Sequence, residues 1–211
     1  MVYIQETFYF DHSSPEIQKM VESIKNLVSD QEKIEQLYLK VRDGWRYNPY
    51  NIGLTPAHYK ASAIARKTVG HCIDKAILYV AGLRALHIPA RLRLAKVANH
   101  IATEHLEETL GSHEIAPHGL VDVFLNGKWF KCSPAFNKEL CDRYNVAPLE
   151  FDGTQDSIFQ EYNRDNKQFM EYLEDYGHFE DVPIDFIFKT FQDTYPEVSK
   201  KIQGAKEIKI K

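Results

Sequence analysis

The dipeptide Asn126-Gly127 is the strongest single constraint on how this chain can fold. It separates two apolar-rich runs, residues 120–125 and 129–133, and a two-residue type I′ turn needs positive φ at both central positions, which Asn and Gly supply most cheaply. An antiparallel hairpin follows, and its turn sets its register: Leu125 opposes Lys128 and, counting outward, Leu120 opposes Ser133. Alternation places His118, Leu120, Asp122 and Phe124 on one face with Ser133 on the same side. Ser133 is then the diagonal neighbour of His118 at roughly 7–8 Å. Asp122 shares the face but lies roughly 13 Å from His118 along the strand, too far to orient an imidazole.

Upstream, Ile73, Ala76, Ile77, Val80 and Leu83 keep the 3.6-residue period over residues 73–86 and stop before Pro89. This is a core helix with Cys72 at its N-terminus. Residues 90–98, with Leu92, Leu94 and Val97 between basic residues, read as a strand. Two earlier helices carry capping-box spacing, Ser13 with Glu16 and Ser29 with Glu32; the second buries Ile34, Leu37, Tyr38 and Val41. The opening, residues 2–10, reads as aromatic and β-rich, and 55–69 as a short helix and loop. Residues 99–117 are polar and His-rich, a surface helix or an excursion between strands; 148–157 read as loop and 169–176 as helix. Ile184, Ile187, Phe188 and Phe191 form the stripe of a last helix closed by Pro196, and 199–211 a solvated basic tail.

With 211 residues and no internal repeat, one domain is expected. A net charge of −4, dispersed along the chain, argues against nucleic acid as a partner, because phosphate binding needs a clustered basic surface. No window approaches the ~18 apolar residues of a membrane span, and the first ten residues lack the basic start of a signal peptide. The expectation is a cytoplasmic protein with no membrane association. Cys72, Cys132 and Cys141 are odd in number, and for the last two the expectation is burial as small hydrophobes.

Cys72 stands apart because it opens a helix, where unpaired N–H groups and the macrodipole favour an anion. A thiol so placed is a potential thiolate nucleophile, and the same N–H groups can bind the oxyanion formed when sulfur attacks a carbonyl. The position suits equally a small residue tucked under a helix end. Of nine histidines His118, just after Pro117 at the mouth of the hairpin, is best placed as a partner. His71, beside Cys72, points another way along the backbone.

The run from Gly70-His71-Cys72 through Ile88-Pro89-Ala90-Arg91, followed by His118-Gly119 and Ser133-Pro134, resembles the core of the transglutaminase-like superfamily, relatives of papain-type thiol enzymes. The lead-in at 29–34 and 41–47 is similar too, and the segments at 149–157 and 170–183 look like those of bacterial transglutaminase-like proteins of undefined activity. The resemblance implies an α+β fold, a Cys-bearing helix packed on an antiparallel sheet, in a single domain over 1–211: a core at about 29–134, a wrapping segment at about 135–198 and the basic tail. It implies Cys72 as nucleophile and His118 as general base, acting on a peptide, protein, amide or ester with no organic cofactor. The family's usual Asp before Pro is here Ser133. A hydroxyl can accept a hydrogen bond and fix a tautomer but cannot stabilise an imidazolium as a carboxylate does. Asn137 or Asp152 could supply that role instead.

Two other classes compete with the thiol enzyme. One is an inactive module that keeps the groove to bind a protein or peptide. The other is a metal site among His100, His105, His113, His118 and Glu104, Glu107, Glu108, Glu114; His100 and His105 are five apart and share no helix face, so no metal is expected. Arg84, Arg91 and Arg93 could hold a substrate carboxylate, though salt bridges are the commoner use. Trp45, Tyr47 and Tyr50 could wall a cleft near the cysteine, or pack as core.

Overall fold

The hairpin forms in the register its turn dictates, with Asn126 at φ 51° and Gly127 at φ 83°. In the computed structural model, which describes residues 2–101, 108, 110–201 and 207–209, the elements run α1 (Pro15–Val21), α2 (Asp30–Gly44), β1 (Arg46–Tyr47), β2 (Asn51–Gly53), α3 (Ala61–Ala65), β3 (Val69–Gly70), α4 (Cys72–Ala85), β4 (Ala90–Asn99), β5 (Glu114–Leu125), β6 (Lys128–Cys132), α5 (Lys138–Arg143), β7 (Met170–Phe179), α6 (Ile184–Thr194), α7 (Pro196–Lys201) and β8 (Glu207–Lys209). Leu125 pairs with Lys128 and Val121 with Cys132. Ser133 lies just past the end of β6, where its N–H donates to the Ser157 carbonyl at 3.0 Å.

The main sheet is antiparallel in the order β6-β5-β4-β7. α4 packs on it as a helix buried along its whole length, from Cys72 to Arg84, which is why its apolar residues are not confined to one stripe. Val121, Val123 and Leu125 of β5 and Leu92 and Leu94 of β4 meet it in one core. α2 covers the other side of α4. Its Ser29–Glu32 capping box is complete, and Ile34, Leu37, Tyr38 and Val41 are all buried. This is the α+β architecture expected from the sequence.

Several elements differ from expectation. Residues 169–176, expected as helix, fall largely in β7 (Met170–Phe179), which pairs with β4 along its free edge. The opening is no strand: a single 3-10 turn at Val2–Ile4 leads into chain whose carbonyls are taken by other partners, Gln5 by the Arg84 guanidinium at 2.9 Å and Tyr9 by the Ala61 N–H at 2.8 Å. The Ser13–Glu16 box does not form. Ser13 bonds Glu6 and Glu16 bonds Arg66, so α1 starts after Ser14 without a side-chain cap. The basic tail is not wholly solvated chain, since 196–201 form α7 and Glu207–Lys209 pair with β2.

Arg84, Arg91 and Arg93 serve the fold. Arg91 Nε and Arg93 Nε donate to the buried Asp122 carboxylate at 2.9 and 2.7 Å, so Asp122 is committed to the arginines. Arg84 is fully buried and donates to three main-chain carbonyls. No helix is long and apolar enough to cross a membrane among the described residues.

Candidate active site

α4 begins where the sequence turns out of β3. His71 caps the helix: its Nδ1 accepts from the Asp74 N–H at 3.0 Å, and Asp74 reaches back to the His71 N–H. That contact fixes His71 as a structural group and leaves Cys72 as the first helical residue. The main-chain N–H groups of Gly119, Ile73 and Cys72 itself lie near the Cys72 sulfur and favour its charged form. Gly119 can come this close because it has no side chain: a Cβ there would lie 2.7 Å from Ile73 Cα and 2.9 Å from Ile73 N. Gly119→Ala is therefore expected to cost about 1–3 kcal/mol, read as a fall in Tm, and to move one of these three N–H groups away from the sulfur.

The potential thiolate at Cys72 is disfavoured in this state. Burial pushes the Cys72 thiol up to about 11, more than the helix-end N–H groups recover. Burial likewise pulls His118 down to about 4, with His71 adding to the shift. At neutral pH Cys72 is a thiol and His118 a neutral imidazole, a depth effect that residue order cannot reveal.

The residue after His118, Gly119, packs against the start of α4, so β5 brings the His118 backbone near Cys72. The imidazole itself makes no hydrogen bond to the sulfur, and its buried Nδ1 has no partner among the described residues. His118 and Ser133 do come together, lining one small cavity with Phe136, Gln160 and Met170. The Ser133 carbonyl accepts from Tyr38 Oη at 2.8 Å, which fixes its backbone. The two alternatives to Ser133 are engaged elsewhere. Asn137 Oδ1 accepts from the Tyr47 N–H at 3.0 Å, and Asp152 accepts from Thr154 and Gln31.

Cys72 lies on the wall of a different, larger cavity of about 300 Å³. Tyr47 lines it and Tyr50 lines the cavity next door, whereas Trp45 is core. Cys132 and Cys141 are free and buried, as expected.

Of the polar cluster considered for metal, His105, Glu104 and Glu107 lie outside the described residues. His100 Nε2 sits 3.1 Å from Glu171, and His118 is in the hairpin site. Among the described residues the potential ligand atoms that converge belong to His58, His71 and Asp74, within 4.8 Å of one another. Lys67 Nζ stands 3.0 and 3.2 Å from the two ring nitrogens of His58, and His71 Nδ1 is already an acceptor. A cation would have to displace an ammonium and a helix cap. The cluster instead neutralises the base of α4: burial opposes ionisation of Asp74, but His71, the His58 hydrogen bond and Lys67 outweigh it and hold the carboxyl below its ordinary range.

A cysteine opening a buried helix, with the His-bearing strand of an antiparallel sheet laid across its N-terminus, is a thiol-enzyme-like fold. The chain belongs to the transglutaminase-like superfamily, whose family model matches residues 18–134. Among solved structures, a putative cysteine protease from Cytophaga hutchinsonii is similar, at 16% identity and a TM-score of 0.48, over 63% of this chain and 40% of that one. The chain thus spans well under half of that protein. No curated protein matches the sequence.

Proposed function

We propose that this protein is a thiol acyl-transfer enzyme in which Cys72 attacks an amide, peptide or ester carbonyl. His118 accepts the thiol proton as attack proceeds and returns it to the leaving group, and water or an amine resolves the acyl-enzyme. The observation that carries this reading is a cysteine at the first position of a buried helix and on the wall of a cavity, with main-chain N–H groups beside its sulfur that favour the charged form. A neutral imidazole is the form able to take a proton. The missing sulfur–imidazole bond fits a resting site, because catalytic hydrogen bonds commonly tighten only once substrate is bound. In this reading Ser133, which lines the same small cavity as His118, takes the place of the family's carboxylate.

The raised thiol favours a second reading, a module that binds a peptide without turning it over. The two readings separate on Cys72→Ala. For the enzyme, incubation with an activated ester adds one acyl group to the wild-type protein, mapped by mass to Cys72, and none to the variant; a wild-type protein that is never acylated favours the module. Iodoacetamide labelling of the resting protein, followed by peptide mass, is expected to keep rising towards pH 11 at Cys72. A labelling plateau already reached at pH 7 would contradict the neutral thiol described above.

A further inference from the structure

The cavity beside Cys72 indicates what the acyl group is. Its wall carries no Asp, Glu, Lys or Arg among the described residues. One face of α6 supplies Ile187, Phe188 and Phe191, Tyr195 follows at its C-terminal end, and β5 contributes Ile115. Tyr195 is pinned there, donating from Oη to the Glu114 carbonyl at 2.8 Å and accepting from the Ala116 N–H at 3.0 Å. A charged group entering would meet no opposite charge among the described residues, only neutral polar groups such as those of His71, Gln192 and Ser199, whereas each methylene would gain from burial. The cavity, about 300 Å³ against the roughly 10–15 Å³ that one water needs, has room for an acyl chain of several carbons.

Building on the thiol reading, we propose that the acyl donor carries a neutral, apolar acyl chain of several carbons, seated between α6 and β5 with its carbonyl at Cys72. In the step tested, sulfur bonds the acyl carbon, the carbon–oxygen bond of the ester breaks, and the thiol proton ends on the departing phenolate. Acylation by p-nitrophenyl acetate, octanoate and glutarate is measured by released nitrophenol and by protein mass, each rate divided by that with N-acetylcysteine. The expected result is octanoyl transfer at least tenfold faster than acetyl, glutaryl slowest, and a lower octanoyl-to-acetyl ratio in Ile187→Trp, which fills the cavity. Should that variant not fold, octanamide is still expected to protect wild-type Cys72 from iodoacetamide where acetamide does not. An acetyl rate equal to or above octanoyl overturns the assignment while the thiol reading stands. If no ester acylates Cys72, the thiol reading falls and this assignment with it.

A separate observation concerns Gln160, which nothing in the chain order marks. Its amide nitrogen donates to the Ala147 carbonyl at 2.8 Å, which leaves Oε1 buried and unpartnered. Oε1 and the orphan His118 Nδ1 belong to residues lining the same cavity, about 10 Å³ in volume, with Ser133 as the third polar residue on its wall. That is room for about one water with polar partners. We infer that Gln160 is a positioning residue for His118: Oε1 accepts, through a bridging water, the proton on Nδ1, so that Nε2 keeps the lone pair that accepts the thiol proton. Gln160→Glu is expected to raise the imidazole pKa by at least one unit, since a carboxylate favours imidazolium, and to shift the acid limb of the acylation profile with it. Gln160→Met is expected to slow acylation roughly 10–100-fold. A folded Gln160→Glu protein with an unmoved His118 titration overturns the role. In the wild-type protein, nitrogen-15 shifts are expected to report the Nδ1–H tautomer, and an Nε2–H ring overturns it equally, whether or not the variants fold.

Discussion

Replacing His118 with glutamine is expected to lower the rate of Cys72 acylation by roughly 10²–10⁴, the usual worth of a positioned general base, and at the same time to make the protein more tolerant of acid. The second effect follows from burial. An unfolded histidine titrates near 6.5, and burial pulls His118 down to about 4. Between those values the unfolded chain holds a proton that the folded one does not. Stability therefore rises with pH across this window: the contribution is complete above 6.5 and is lost as pH falls towards 4. The gap amounts to about 3 kcal/mol at 1.36 kcal/mol per unit. Denaturant unfolding at pH 7 and pH 4 should show the wild-type protein losing about 3 kcal/mol more than His118→Gln over that interval. Loss of acylation with an unchanged acid profile would mean that the ring is not held neutral in the folded state. An acid-tolerant variant that still acylates at the wild-type rate would remove His118 from the mechanism.

The same ring marks the boundary of what residue order reveals. The hairpin, its register and the placing of His118 with Ser133 follow from a turn dipeptide and a parity rule, both local. α4 was equally legible, because fourteen residues of helix ending before Pro89 leave little alternative. β7 was not. Phe169, Met170, Tyr172, Leu173 and Tyr176 fall at helical spacing, and only the free edge of β4, seventy residues earlier in the chain, makes extended pairing the better use of that segment. The thiol at Cys72 failed differently. A helix N-terminus lowers a thiol's pKa and burial raises it; the sequence names the first influence and is silent on the second, which here is larger. Gln160 lay beyond reach for a related reason, since its role depends on which buried atoms lack partners, a property of the folded molecule alone.

Arg84→Met is the substitution expected to damage the fold most. Arg84 is fully buried, yet among the described residues no carboxylate pairs with it directly. Its guanidinium donates to the Ala90 carbonyl at 3.0 Å, the Gln5 carbonyl at 2.9 Å and the Glu180 carbonyl at 2.7 Å, and lies 4.4 Å from the centre of the Phe10 ring. One side chain thus ties the end of α4 to the opening segment, the start of β4 and the chain just past β7. Burial pulls its pKa down to about 10, which still leaves it charged at pH 7. Methionine matches the aliphatic stem but strands three carbonyls, and an unsatisfied buried polar group costs about 1–3 kcal/mol. A net loss of about 3–5 kcal/mol is a large fraction of a typical domain's stability, and for a chain of this size it lowers Tm by roughly 6–20 °C. Lysine is a poor rescue, because an ammonium cannot fork to three carbonyls set around a plane. Arg84→Lys is therefore expected to recover less than half the loss in a thermal melt. Full recovery by lysine would mean that charge alone, and not the planar fork, holds these three segments together.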